Sequence, residues 1–254
     1  MRSFITTLLI IFTATSTSAQ DYPIPPKRTT ASKVGFFAGV TPSWLFVDVA
    51  PINSFLVAAG GAKLKDSGIF LFGGAGAVYI GIINNLRVGG IGMGGAIASR
   101  SVDALGIRRD ADLDVGFGGI TFEYVLPVAA RLDIALGGML GWGGIDLTLR
   151  QDTGRNLTWD DEWGNFGSGN YSDPITGTVG NITRTLSGSY FVWMPTINIE
   201  YAILGWMAVR VGAGYVGMSA PSWIVDGKYD LVGVPSNVNG EGFILNGGIF
   251  VGTF

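Results

Sequence analysis

The sequence predicts an all-β chain closed into an eight-stranded, antiparallel, up-and-down barrel that crosses a membrane. Three observations carry this expectation. Apolar, glycine-punctuated segments are separated alternately by very short and by long polar breaks, as in membrane barrels with tight turns at one end and long loops at the other. Within the better segments large apolar and polar residues alternate with period two, which puts them on opposite faces of a strand. Charged residues next to the short breaks share the parity that faces away from the large apolar side chains.

The bulk numbers fit one domain. A chain of 254 residues is within the range of a single all-β barrel. Its 41 glycines come without a Gly-X-Y period, so they are read as bulge and curvature positions in strands. The net charge of -3 with no basic stripe argues against nucleic acid as a partner. Cysteine is absent, which removes disulfides, thiolate metal sites and a lipid-anchoring cysteine.

Taken in order, Met1 to Ala19 has a cation at Arg2, an apolar run from Ile5 to Ala14, and small residues Thr17-Ser18-Ala19 before Gln20, the pattern of a cleaved secretory signal. Residues 20–33, with three prolines and no periodicity, are expected to be a periplasmic lead-in. The barrel domain is expected over 34–254. Its strands are predicted over Val34–Val47, Gly68–Ile82, Leu86–Arg100, Asp112–Leu126, Ala130–Arg150, Leu186–Tyr201, Trp206–Met218 and Gly242–Phe254. The short breaks are then 83–85, 127–129 and 202–205, and the long ones 48–67, 101–111, 151–185 and 219–241.

Parity is cleanest from Leu186, where Phe191, Trp193, Ile197 and Ile199 oppose Thr196, Asn198 and Glu200. In two strands it changes sides. Leu132, Ile134, Leu136, Leu140 and Trp142 share one face, but Ile145, Leu147 and Leu149 take the other, which predicts a bulge at Gly143-Gly144; a similar change predicts one at Gly118-Gly119. Gly68–Ile82 alternates poorly, so a transmembrane helix over Ser67–Leu86 is the competing reading. Pro51–Gly60 has the proline start and glycine stop of a short loop helix. The chain ends GFILNGGIFVGTF, and counting back in twos from Phe254 gives Gly252, Phe250 and Gly248, with Asn246 on the same parity.

The polar residues flanking the short breaks are the main candidate constellation. Arg87, Glu123, Arg131, Asp133, Glu200 and Arg210 have the lumen parity, and Glu123 and Arg131 lie equidistant from Pro127, so they are expected to face each other across a hairpin. A charge in a narrow lumen is costly unless paired, and mixed signs predict an ion-pair network that shuts the barrel or gates a narrow ion path.

With its signal pattern, eight segments, long loops, terminal Phe254 and mixed lumenal charges, the chain resembles the small outer-membrane barrels of the protein A and protein X type. The resemblance implies a packed, charge-paired interior, which makes the barrel a plug, and the bacterial outer membrane as its location. Outer-membrane lipid and lipopolysaccharide would surround it, and the barrel-assembly machinery would insert it. The structural or surface-binding role would then be carried by the outer loops, with a narrow channel for ions or small solutes as the alternative.

Enzymatic readings lack support, because histidine, the commonest general base, is absent. No cofactor and no metal site is expected. In the longest loop Trp159 and Trp163 bracket Asp160, Asp161 and Glu162; the spacing departs from an EF-hand, which leaves a solvated acidic turn or a surface contact patch. The physiological surface ligand is not legible.

Overall fold

A computed structural model describes residues 35–152, 182–219 and 222–253. The signal and lead-in segments, the Trp159–Trp163 patch and Phe254 lie outside the described residues.

The chain forms β1 (Phe36–Val40), β2 (Ser43–Val47), helix α1 (Ala50–Ala58), β3 (Ile69–Tyr79), β4 (Leu86–Val102), β5 (Arg108–Ala129), β6 (Leu132–Asp152), β7 (Ile182–Leu204), β8 (Met207–Met218), β9 (Ser222–Val225), β10 (Tyr229–Asp230) and β11 (Gly242–Gly252). These segments make a ring of eight antiparallel staves. β1 and β2 are one stave: Pro42 has no amide to give the ladder, yet the register against β3 and β11 continues unchanged across it. β9 follows β8 along the edge of β7, and β11 closes the ring between β8 and β1/β2.

The alternation that the sequence shows changing sides is produced without any bulge. The β4–β5, β5–β6 and β6–β7 registers run unbroken past Gly118-Gly119 and Gly143-Gly144. What changes is the medium on each face. On β6, Leu136, Leu140 and Trp142 are exposed on the outer face, and above them the same face carries Asp146, Thr148 and Arg150. The inner face runs the opposite way, from Asp133 near the short turn to buried Ile145 and Leu147. β5 does the same, with Ile120, Phe122 and Tyr124 outside the lower half and Leu113, Val115 and Phe117 inside the upper half.

The lower storey is therefore built for lipid outside and polar contacts inside; the upper storey is built like a water-soluble barrel. From Ile134 to Trp142, at about 3.3 Å per residue and about 40° of tilt, the band rises roughly 20 Å, close to the apolar height that a membrane barrel presents. Its upper margin carries aromatic pairs on neighbouring staves: Trp44–Phe70, Trp142–Phe191, Trp193–Tyr215 and Tyr215–Phe243, with ring centroids 5.3–6.1 Å apart. β3 alternates poorly in sequence because apolar residues occupy both its faces, Ile69 and Leu71 in the upper core and Phe70 and Phe72 outside. It is a strand, and among the described residues no helix is long and apolar enough to cross a membrane.

The upper storey also lengthens the strands beyond the expected ends. β4 and β5 continue to Val102 and from Arg108, leaving Asp103–Ile107 as their loop, and part of 219–241 forms the β9–β10 hairpin. Pairing persists there because Leu113, Ile145 and Leu147 bury against α1 and the loops, in a cluster with Val49, Ile52, Leu56, Leu64 and Val238. The helix over 50–58 thus packs into the core, with Asn53 fixed to Leu64 by two buried hydrogen bonds of 2.7 and 3.0 Å. Truncating Leu56 to Ala is expected to cost about 2–5 kcal/mol, measured as a shift in the unfolding midpoint.

In the Asp103–Ile107 loop, the Asp103 carboxylate accepts from Arg109 Nη1 at 2.8 Å, from the Leu105 amide at 2.8 Å and from the Ile107 amide at 3.0 Å. The Arg109 bond, then the amide bonds, hold this carboxyl below its ordinary value. A depressed carboxyl stabilises its loop above the unfolded-state value and loses that contribution as pH falls through the folded one. The amide signals of Leu105 and Ile107 should therefore titrate below the ordinary aspartate range, and Asp103→Asn should flatten that titration in an NMR pH series.

Candidate lumen plug

Four of the predicted charges meet in the lower storey. Arg87 is the second residue of β4, Glu123 lies opposite it on β5, and Glu200 on β7 lies opposite Arg210 on β8. All four are at least nine-tenths buried. Arg87 Nε donates to Glu123 Oε2 at 2.7 Å, and its Nη1 donates to Glu200 Oε2 at 2.8 Å, with Nη2 on Glu200 Oε1. Arg210 reaches Glu123 Oε1 at 3.0 Å and Oε2 at 3.3 Å, and also contacts Glu200 Oε1. Each arginine thus touches both glutamates, and two positive and two negative charges cancel.

The short turns place these charges. Arg87 and Glu123 converge because β3–β4 ends in a tight turn where Asn85 takes φ 65, a left-handed geometry that asparagine tolerates, and the Asn85 carbonyl accepts from the Val125 amide at 2.8 Å. Across β5–β6, Glu123 faces Gly137, where an added Cβ would stand 2.9 Å from Glu123 Cγ, so the bare glycine leaves the carboxylate free to cross the lumen.

Aromatic rings close the rest of the section. Phe37 on β1 and Phe250 on β11 meet edge to face at 5.3 Å. The Arg87 guanidinium lies 4.7 Å from the Phe37 centroid and 6.0 Å from that of Tyr79 on β3, and the Arg210 guanidinium lies 4.8 Å from that of Phe250. Asn198 Nδ2 donates to Glu123 Oε1 at 3.2 Å, and buried Ala135 on β6 is the cross-strand partner of Asn198. Every stave therefore contributes a side chain at this level.

The other two candidates are Arg131 and Asp133. Arg131 does not face Glu123, because the strand continues through Pro127 with an irregularity before Ala129, and the reversal is the pair Ala130-Arg131. Arg131 is a half-buried turn residue whose carbonyl accepts from the Ala202 amide at 2.9 Å. Asp133 is level with Glu200 on the lumen face of β6 and half-buried. The sequence reading missed Phe37, Tyr79 and Phe250. The signal for Phe250 was its shared parity with Asn246: both are lumenal, the β8–β11 register is unbroken, and the outer face of β11 is Phe243, Leu245, Ile249 and Val251.

Among the described residues no group of three or more acidic side chains is arranged to hold a metal ion. No protein-family model and no curated protein sequence matches the chain. Solved structures of three small outer-membrane proteins are similar to it in outline. The attachment invasion locus protein Ail of Yersinia pestis, solved in complex with the heparin analogue sucrose octasulfate, is 11% identical, with 86% of this chain and 97% of that chain covered at a TM-score of 0.37. A major outer membrane protein of Thermus thermophilus is 8% identical, with 86% and 98% covered and a TM-score of 0.41. CarO2 of Acinetobacter baumannii is 13% identical, with 85% and 97% covered and a TM-score of 0.37. The likeness is one of strand arrangement, and the architecture itself stands on the strand pairing of this chain.

Proposed function

We propose that this protein is a closed outer-membrane barrel that does not conduct, and that its work is structural or surface-binding, carried by the loops and the projecting upper storey. The observation that supports this reading is the filled cross-section at Arg87, Glu123, Glu200 and Arg210, to which all eight staves contribute. A second closure lies above it, where Met139, Met194, Val192 and Ile145 join the apolar core. Two closures in series make the plug reading stronger than ion pairs alone would. Residues 1–19 are the expected export signal, the lipid-facing band sets the membrane position, and the short turns are the periplasmic end. The surface-contact role is assigned to the loops, Trp159–Trp163 among them.

Reconstitution of the full chain in a planar bilayer tests the closed lumen. The expected result is no steady conductance, either for the native protein or for Glu123→Gln, because the apolar storey remains shut. A steady conductance that changes with Glu123→Gln would replace the plug by a narrow ion channel. Resistance of the membrane-bound protein to an alkaline wash, with release by detergent, checks the location.

A further inference from the structure

Directly above the quartet the packing opens into a small chamber of about 30 Å³ in which the centre of a water molecule fits. Among the described residues three buried side-chain polar atoms lack a hydrogen-bond partner: Thr41 Oγ1, Asn198 Oδ1 and Arg210 Nε. All three residues line this one chamber, and they are only 4%, 2% and 9% exposed. Orphaned polar atoms scattered through an interior would say little. Three gathered on the wall of one cavity mark a place where a polar guest is held.

We propose that the chamber is a water-binding site inside the membrane-embedded half of the barrel, holding about two water molecules; the proposal rests on the closed-lumen reading. The volume sets the number, since one water needs roughly 10–15 Å³ by the same measure. The chemistry of the wall selects water over an ion. Arg210 Nε–H can only donate, Asn198 Oδ1 only accepts, and the Thr41 hydroxyl does either. A cation would meet the edge of the Arg210 guanidinium. An anion would meet Glu123, whose carboxylate lines the same chamber and is bound to Arg210 at 3.0 Å. The surrounding quartet is neutral as a whole, so no net charge remains to draw an ion of either sign. Water accepts from the arginine and donates to the amide and the hydroxyl, and completes all three.

The site is built by a stave break and a glycine. Thr41 precedes Pro42, where β1 and β2 separate, and its amide is held by the Gly73 carbonyl at 2.9 Å while its hydroxyl is left to the chamber. On β8, a Cβ added to Gly212 would stand 2.0 Å from Asn198 Oδ1 and 2.8 Å from Asn246 Oδ1. Bare Gly212 therefore leaves room for the Asn198 amide at the chamber wall. Phe37, Glu123 and Arg210 line the chamber on the quartet side, and Ile91, Met139 and Met194 line it towards the apolar core.

The test is water–protein cross-relaxation by NMR on the full chain in lipid nanodiscs, read at the Arg210 Nε–H, the Asn198 side-chain amide and the Thr41 methyl, alongside planar-bilayer conductance. Long-lived water contacts at all three groups without conductance are the expected result. Thr41→Val, which removes the hydroxyl but keeps the shape, should weaken the contact at residue 41 and preserve that at Arg210, while Gly212→Ala should weaken those at Asn198. Absence of long-lived water contacts in a non-conducting barrel would overturn the chamber and leave the closed lumen standing. Conductance with rapidly exchanging water would overturn both. A crystal grown with rubidium and bromide that shows anomalous density between Thr41 and Asn198 would replace water by an ion.

Discussion

Replacing Arg87 by Met is expected to destabilise the folded barrel by about 3–5 kcal/mol, the usual cost of removing one partner from a buried ion pair. Arg87 is 1% exposed and bridges Glu123 and Glu200, so without it two buried carboxylates share one guanidinium. The ring of Phe37 loses the nearer of its two cations, at 4.7 Å, and keeps Arg210 at 5.2 Å; such a contact is worth about 2 kcal/mol where water is excluded. Equilibrium urea unfolding in lipid vesicles measures the change. Pairing Arg87→Met with Glu200→Gln should recover part of it, because one arginine then faces one glutamate. A single variant within about 1 kcal/mol of the native protein would mean that the quartet is solvated, and with it the lumen.

Much of this site is legible in the sequence, and for a physical reason. A charged residue on the lumen parity of an otherwise apolar strand has to be paired, so Arg87, Glu123, Glu200 and Arg210 could be singled out by parity and by their distance from short turns. Arg131 shares their parity count but lies in a turn, because the reversal falls at Ala130-Arg131 and Pro127 remains in the strand. Only the pairing shows that.

Aromatic lumen residues were harder to see. Phe37 and Phe250 look like lipid-facing side chains, and nothing local says that two guanidinium groups will lie against their rings. The apparent bulges at Gly118-Gly119 and Gly143-Gly144 have a different origin. Alternation reports which face is apolar and is silent on which face points inward. A strand that leaves the bilayer while still paired exchanges its apolar face without changing its register.

That exchange leads to the second large effect. Ile197 is 50% exposed on the outer face of β7, midway along a lipid-facing series from Phe191 to Ile203. Ile197→Arg should cost about 2–4 kcal/mol in vesicle unfolding, the depth-dependent cost of a cation near the middle of the apolar band. Ser187 has the same outward parity ten residues earlier, level with Asp146 in the upper storey. Ser187→Arg should stay within about 0.5 kcal/mol, because its side chain meets water and an acidic neighbour. A bulge at Gly143-Gly144 would give a different picture on β6, with Ile145 turned to lipid. The unbroken register and the 0% exposure of Ile145 instead require that Ile145→Cys resist a water-soluble maleimide while Asp146→Cys reacts. Protection at 146, turned into the lumen, with labelling at 145 only by a lipid-soluble maleimide would restore the bulge and remove the upper storey. In that case the apolar core above the quartet could not act as a second closure, and the plug would depend on its ion pairs alone.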